Sequence, residues 1–188
     1  MKYGKSFLRN KFLLQRKKKY FLNKKFNFDL IFRLIRQKFG HKKICIAGYY
    51  PSNYEVNILQ FLENASKKDF KIALPLIKLA NSMSYKLWVF KEPLSLNKFG
   101  ILEPKYSKKE IIPDLILVPL VAYDRKLNRI GYGKGYYDRS LKKIRRIKKN
   151  TIFLGIAFSS QRCNSIPVNK YDSKLDYIFT ERGIISSD

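Results

Sequence analysis

Gly131-Tyr132-Gly133-Lys134-Gly135 sets three glycines on alternate positions around a single lysine. Alternate glycines let the backbone approach a ligand closely and turn successive N–H groups towards an anion, and the lysine adds a mobile cation. The spacing is not that of a Walker A loop, whose glycines lie further apart and whose lysine is followed by a hydroxyl residue; here Gly135 follows Lys134. It is not the dinucleotide fingerprint either. On these residues alone an anion nest and a tight packing turn both remain open. Two carboxylates bear on the choice, Asp138 just after the loop and Asp176 near the C-terminus. Carboxylates near a phosphate are costly unless a hard cation stands between them, and Mg²⁺ held by one or two carboxylates plus phosphate oxygens is the usual solution. Far upstream, Lys5 and Arg9 lie one helical turn apart and can reach phosphates together.

The elements that must position these groups follow from periodicity. Leu115 to Val121 is an apolar run too short for a helix and predicts a buried strand, with the glycine loop after it and a helix over 136–147. Strand, glycine loop, helix is an order that binds phosphate at a helix N-terminus. Upstream, Phe7, Leu8, Phe12 and Leu13 predict an amphipathic helix within 3–25, whose basic run Arg16 to Lys19 reads as a solvated face. A second helix is expected over 28–39 and a strand over 43–50. Next comes a helix capped by Ser52 or Asn53 and carrying Val56 to Leu62, with Glu55 as a first-turn charge. Strands are expected at 70–74, 85–90, 151–158 and 175–180. Trp88 falls on the second of these as a core residue, and 91–113 reads as a surface excursion. Alternating strands and helices predict an α/β sheet covered on both faces, mainly parallel with an irregular edge. Ligands in such sheets bind beyond the carboxyl ends of the strands, where the glycine loop would fall.

The chain of 188 residues is expected to form a single domain, 1–188, and its composition is that of a globular protein. The sequence has no apolar run long enough to span a bilayer and no secretory leader pattern, so a cytoplasmic protein without membrane contact is expected. Cys45 and Cys163 have no partners at metal spacing and no reason to bridge. The net charge of +26 points towards an anionic partner. Lysine spread over nearly the whole chain also fits a compositional bias, and a multiply charged small substrate would use part of the excess. The aromatic residues do not fall in a nucleic-acid module, so nucleic acid ranks below a small anionic substrate; binding with a steep salt dependence would reverse that order.

The run Val118-Pro119 through Tyr123-Asp124 and Asn128-Arg129-Ile130-Gly131-Tyr132-Gly133-Lys134-Gly135-Tyr136-Tyr137-Asp138 closely resembles the signature of the 5-formyltetrahydrofolate cyclo-ligases, also called methenyltetrahydrofolate synthetases. Lys5 to Arg9 is similar to the family's Lys-x-x-Leu-Arg, Tyr50 to Glu55 to its tyrosine and acidic residue, and Met83 to Trp88 to its Met-x-aromatic-x-x-Trp. Gly100 to Pro104 and Ile166 to Asp176 match as well. The resemblance implies a three-layer α/β/α, Rossmann-like fold similar to the NagB/RpiA/CoA transferase-like fold. It also implies a monomeric ligase that closes 5-formyltetrahydrofolate to 5,10-methenyltetrahydrofolate with ATP as co-substrate and Mg²⁺ as cofactor.

Carried onto this sequence, the resemblance implies catalytic roles for Lys134, Arg129 and Tyr136. It implies ATP contacts from Lys5, Arg9, Arg129, Gly131, Tyr132, Gly133, Lys134, Gly135, Tyr136 and Tyr137. Folate contacts would come from Tyr50, Glu55, Trp88, Tyr132, Lys134, Gly135 and Tyr136, and metal ligation from Asp138 and Asp176. Two positions depart from the pattern: Leu76 stands where a basic residue is frequent, and Tyr123 where phenylalanine is usual. A relative that binds the ligands without turnover is the alternative on the same fold.

Overall fold

The computed structural model describes residues 4–22, 25–78 and 82–187. Helix α1 (Lys5–Lys19) is followed by α2 (Asp29–Phe39), strand β1 (Cys45–Ala47), α3 (Leu59–Lys67), β2 (Lys71–Ile77) and β3 (Met83–Leu87). Short strands β4 (Ser95–Leu96), β5 (Leu102–Glu103) and β6 (Glu110–Ile111) lead into β7 (Leu115–Pro119). A small hairpin, β8 (Ala122–Tyr123) and β9 (Arg129–Ile130), precedes α4 (Tyr136–Ile147), β10 (Ile152–Ile156), β11 (Tyr177–Thr180) and β12 (Gly183–Ser186).

The main sheet runs in the order β12-β11-β10-β7-β1-β2-β3-β6. Its five inner strands, β11 to β2, are parallel; β12 pairs antiparallel with β11 at one edge, and at the other β3 pairs antiparallel with β2 and β6 antiparallel with β3. Strands buried on both faces need apolar residues at every position, which explains the unbroken runs of β1 and β7. On one face Ile31, Leu34 and Ile35 of α2 and Phe61, Leu62 and Ala65 of α3 pack on Ile46, Leu74, Leu115, Leu117 and Leu154. On the other, Leu141 and Ile144 of α4 meet Ala47, Ile116, Val118 and Phe153. The mainly parallel, doubly covered sheet expected from the sequence is therefore present. Among the described residues no helix is long and apolar enough to cross a membrane.

Several boundaries move. The helix expected directly after Ser52 begins only at Leu59, because Asn53 and Tyr54 adopt left-handed backbone, with φ of 45° and 61°. The predicted strand at 85–90 is displaced to Met83–Leu87, and the first strand shrinks to Cys45–Ala47. Helix α1 stops at Lys19 and continues as a single 3₁₀ turn, Tyr20–Leu22; positions 3, 23 and 24 of the predicted helix lie outside the described residues. The excursion at 91–113 contributes β6 to the sheet edge, and β12 was not foreseen.

Phe61 is fully buried, with the rings of Phe32 and Phe28 centred 5.0 and 5.7 Å away. Phe61→Ala is expected to lower the unfolding free energy by about 3–5 kcal/mol in a urea titration. A loss below about 1 kcal/mol would contradict its place in the core.

Candidate active site

The parallel strands deliver their carboxyl ends to one edge of the sheet, and α1 lies across it. Leu8 and Phe12 dock this helix on Val121, Ala122, Ile130 and Ile166. That apolar contact aims the cations of the helix at the glycine loop. Arg9 donates from Nε to the Gly131 carbonyl at 2.8 Å. Its guanidinium carbon lies 3.2 Å from where a Cβ on Gly133 would sit, and Gly133 has φ of 97°, so a side chain there meets both strain and a cation. The terminal nitrogens of Arg9 have no partner among the described residues. Lys134 is exposed, stacked over the Phe99 ring at 5.6 Å, with no carboxylate partner among the described residues. Helix α4 starts at Gly135, whose φ of 70° is left-handed, and has no side-chain cap. The first N–H groups of such a helix have no intrahelical partner and face whatever the loop holds.

Arg129 is buried beneath the loop, where it donates to the Ser173 carbonyl at 2.8 Å and pairs with Asp138 at 2.9 Å. Asp138 also accepts the Ser173 N–H at 3.0 Å. The residue next to Ser173 is Asp172, whose carboxylate takes Lys5 at 2.5 and 2.6 Å. The structure thus gathers Asp138, Asp172, Lys5 and Arg129 around the start of α4.

Asp176, expected to join Asp138 as a metal ligand, is elsewhere. It accepts the Phe153 N–H at 2.8 Å and pairs with Arg145 at 2.7 Å, at the amino end of β11. Arg145 is seven residues beyond Asp138 in α4, a separation of roughly 10 Å along the axis. The cause is topological: β11 begins at the sheet edge opposite its carboxyl end, and the chain passes the site four residues earlier. Nothing in the local pattern of Tyr171-Asp172-Ser173 sets Asp172 apart from Asp176.

Glu55 does reach the loop. The Tyr132 hydroxyl donates to its Oε1 at 3.0 Å, and Oε2 accepts the Ser52 N–H at 2.9 Å. Burial pushes the Glu55 pKa up; the Ser52 N–H, Arg16, and the Tyr132 and Ser52 hydroxyls draw it back. Tyr49, Tyr132 and Tyr137 surround this carboxylate, and burial pushes each of their hydroxyls upward, so all three stay protonated donors. Tyr136 opens on the other side, tilted against Phe99 with ring centroids 6.1 Å apart.

Tyr50 and Trp88 are not brought to this cluster. They line a groove of about 350 Å³ with Leu59, Phe90, Leu94 and Leu102. Trp88 is 6% exposed, belongs to the core on the α3 face, and donates its Nε1–H to the Glu92 carbonyl. Burial raises the Cys45 thiol to about 12 and that of Cys163 to about 11, so neither is a nucleophile at neutral pH.

A sequence model of the 5-formyltetrahydrofolate cyclo-ligase family matches residues 1–181. The chain belongs to this family. It is 32% identical over 158 residues to a probable 5-formyltetrahydrofolate cyclo-ligase of Schizosaccharomyces pombe, covering 77% of each chain. It is 29% identical to the cyclo-ligase of Haemophilus influenzae, over 69% of this chain and 72% of the relative. The solution structure of Aquifex aeolicus 5,10-methenyltetrahydrofolate synthetase superposes with a TM-score of 0.74 at 27% identity, covering 97% of this chain and 92% of that one. The synthetase of Mycoplasma pneumoniae, at 21% identity and a TM-score of 0.69, shares the fold. Within this cyclo-ligase family fold, Arg9, the glycine loop with Asp138 just after it, and Glu55 stand on three separate segments that meet at one edge of the sheet.

The two aspartates can be told apart by magnesium titration of turnover. Asp172→Asn is expected to raise the Mg²⁺ concentration for half-maximal rate by about tenfold or more. Asp176→Asn should leave it unchanged while lowering stability by about 1 kcal/mol through the weakened Phe153 and Arg145 contacts. The opposite pattern would restore Asp176 to the site.

Proposed function

We infer that the chain catalyses ATP-dependent closure of 5-formyltetrahydrofolate to 5,10-methenyltetrahydrofolate, releasing ADP and phosphate. The observation that carries this reading is the Tyr132 bridge: one loop residue ties a buried carboxylate, suited to a ring bearing N–H donors, to a glycine loop suited to phosphate. A nucleic-acid surface would have no use for a buried carboxylate held in that way.

The formyl oxygen of the folate attacks the γ-phosphorus of ATP, the bond to ADP breaks, and an imidate phosphate results. N10 then attacks the former formyl carbon, and phosphate leaves as the ring closes. Such transfers depend on positioning and charge neutralisation more than on a protein nucleophile. Arg9, with its guanidinium against Gly133, and Lys134, exposed on the loop itself, supply that charge, with the amides at the start of α4. Arg129 is turned inward and orders Asp138 and Ser173, so it shapes the cradle from beneath. Glu55 receives the ring, and Tyr132, Tyr136 and Tyr137 offer flat surfaces beside it.

Among the described residues no three His, Cys, Asp or Glu side chains cluster as a self-sufficient metal site. Two carboxylates at a phosphate cradle are still the donor set that Mg²⁺ uses with phosphate oxygens. Asp138 and Asp172 would hold the ion, which would neutralise phosphate charge. Lys5, now paired with Asp172, would be released towards the nucleotide.

Purified protein with MgATP and 5-formyltetrahydrofolate is expected to generate the methenyl chromophore and ADP in equal amounts. Folded protein giving neither would overturn the reading. Lys134→Ala is expected to lower kcat by about 100-fold or more with an unchanged thermal transition; full turnover in that variant would remove Lys134 from the phosphoryl transfer.

A further inference from the structure

We propose that Arg16 is a positioning residue for folate recognition, reaching from α1 to hold Tyr132 and the 53–55 loop so that Glu55 is presented to the ring; this rests on the function inferred above. Arg16 opens the run Arg16 to Lys19, yet it is only 2% exposed. Burying a guanidinium is expensive unless its charge and its donors are both answered. The donors find the Leu120 carbonyl at 3.2 Å, the Asn53 carbonyl at 2.7 Å and the Tyr132 hydroxyl at 2.5 Å. Nε has no partner among the described residues.

None of these acceptors carries a charge. The compensating anion is Glu55, one hydroxyl further on, since Tyr132 accepts from Arg16 and donates to Glu55 Oε1. An arginine that only filled space would not require this order. With the cation on one side, the tyrosine proton has one acceptor direction, and the hydrogen bond to Glu55 is polarised by the first. The guanidinium also lies 5.6 Å from the Tyr132 ring centroid, holding the ring as well as its hydroxyl. The bond to the Asn53 carbonyl acts on the same target from the other side. Asn53 and Tyr54 are two successive left-handed residues without glycine's freedom, and such backbone persists only where its surroundings impose it. Glu55 follows directly.

The groups facing Glu55 are Ser52 on its own loop, Arg16 from α1, Tyr132 from the glycine loop, Tyr49 beyond β1 and Tyr137 from α4. Arg16 is the charged member of that set. Its removal takes away a contribution that keeps Glu55 ionised against burial, so the carboxylate protonates at a higher pH. A ring that needs an acceptor there then loses affinity earlier as pH falls.

The test is calorimetric titration of the full chain with 5-formyltetrahydrofolate, and separately with ATP, from mildly acidic to mildly basic pH. Arg16→Met is expected to weaken folate binding by about tenfold or more at neutral pH, move its acid limb to higher pH, and change ATP affinity by less than about twofold. Arg16→Lys, which keeps the charge without the planar fork, should restore the limb but not the full affinity. If Arg16→Met is unfolded by circular dichroism, Tyr132→Phe takes its place, with the same shift expected because the relay is cut and the ring retained. Unchanged folate affinity and acid limb in the variants would overturn the proposal, as would an equal loss of ATP affinity. Wild-type protein that binds no folate would overturn the underlying functional reading together with the proposal.

Discussion

The burial of Leu8 and Phe12 against the β8–β9 hairpin and Ile166 is the contact on which the site depends. Without it the parallel sheet would still present its carboxyl edge, but that edge would hold a glycine loop with few fixed cations. The apolar stripe of α1 sets the helix rotation, and the rotation decides where each basic side chain goes. Lys5 and Arg9 then fall over the loop, while Arg16, two turns further on, reaches beneath it. A helix with a modest apolar face thereby orders a strongly basic stretch of the chain.

Much of this was legible in the residues. The apolar runs of β1 and β7 and the 3.6-residue spacing of α2 and α4 made the layered sheet readable, because burial on both faces leaves a simple pattern. The glycine loop was legible as an unusual turn but ambiguous as a site. Its long surrounding signature points to a phosphate site through resemblance, not through spacing. Glu55 was recognised in part: the sequence offered it as a helix charge, while two left-handed residues keep the helix from starting there and leave the carboxylate free to turn inward.

Other features were hidden for physical reasons. Asp172 and Asp176 lie one helical turn apart in sequence, but the chain between them is a loop crossing from one edge of the sheet to the other. Which aspartate stops at the site depends on the path of that loop, which short-range pattern does not encode. Arg16 was hidden by its neighbours, since a run of four basic residues looks like a solvated face and three of the four are exposed. Trp88 shows the reverse: the plain core reading matches its packing, and from the core it also lines the groove beside Tyr50.

Helix α4 is held at both ends by different chemistry. Its first turn carries Asp138 into the cradle, and its last turn is tied to the far edge of the sheet, where Arg145 meets Asp176 and Lys148, just past the helix, meets Asp114. The helix therefore works as a strut of set length between two anchorages. One inserted residue would rotate every later side chain by about 100° and advance it by about 1.5 Å, so both anchorages could not be kept at once. A change of length would be absorbed in the loops on either side of the helix, where it disturbs neither anchorage, while the strut itself keeps its register.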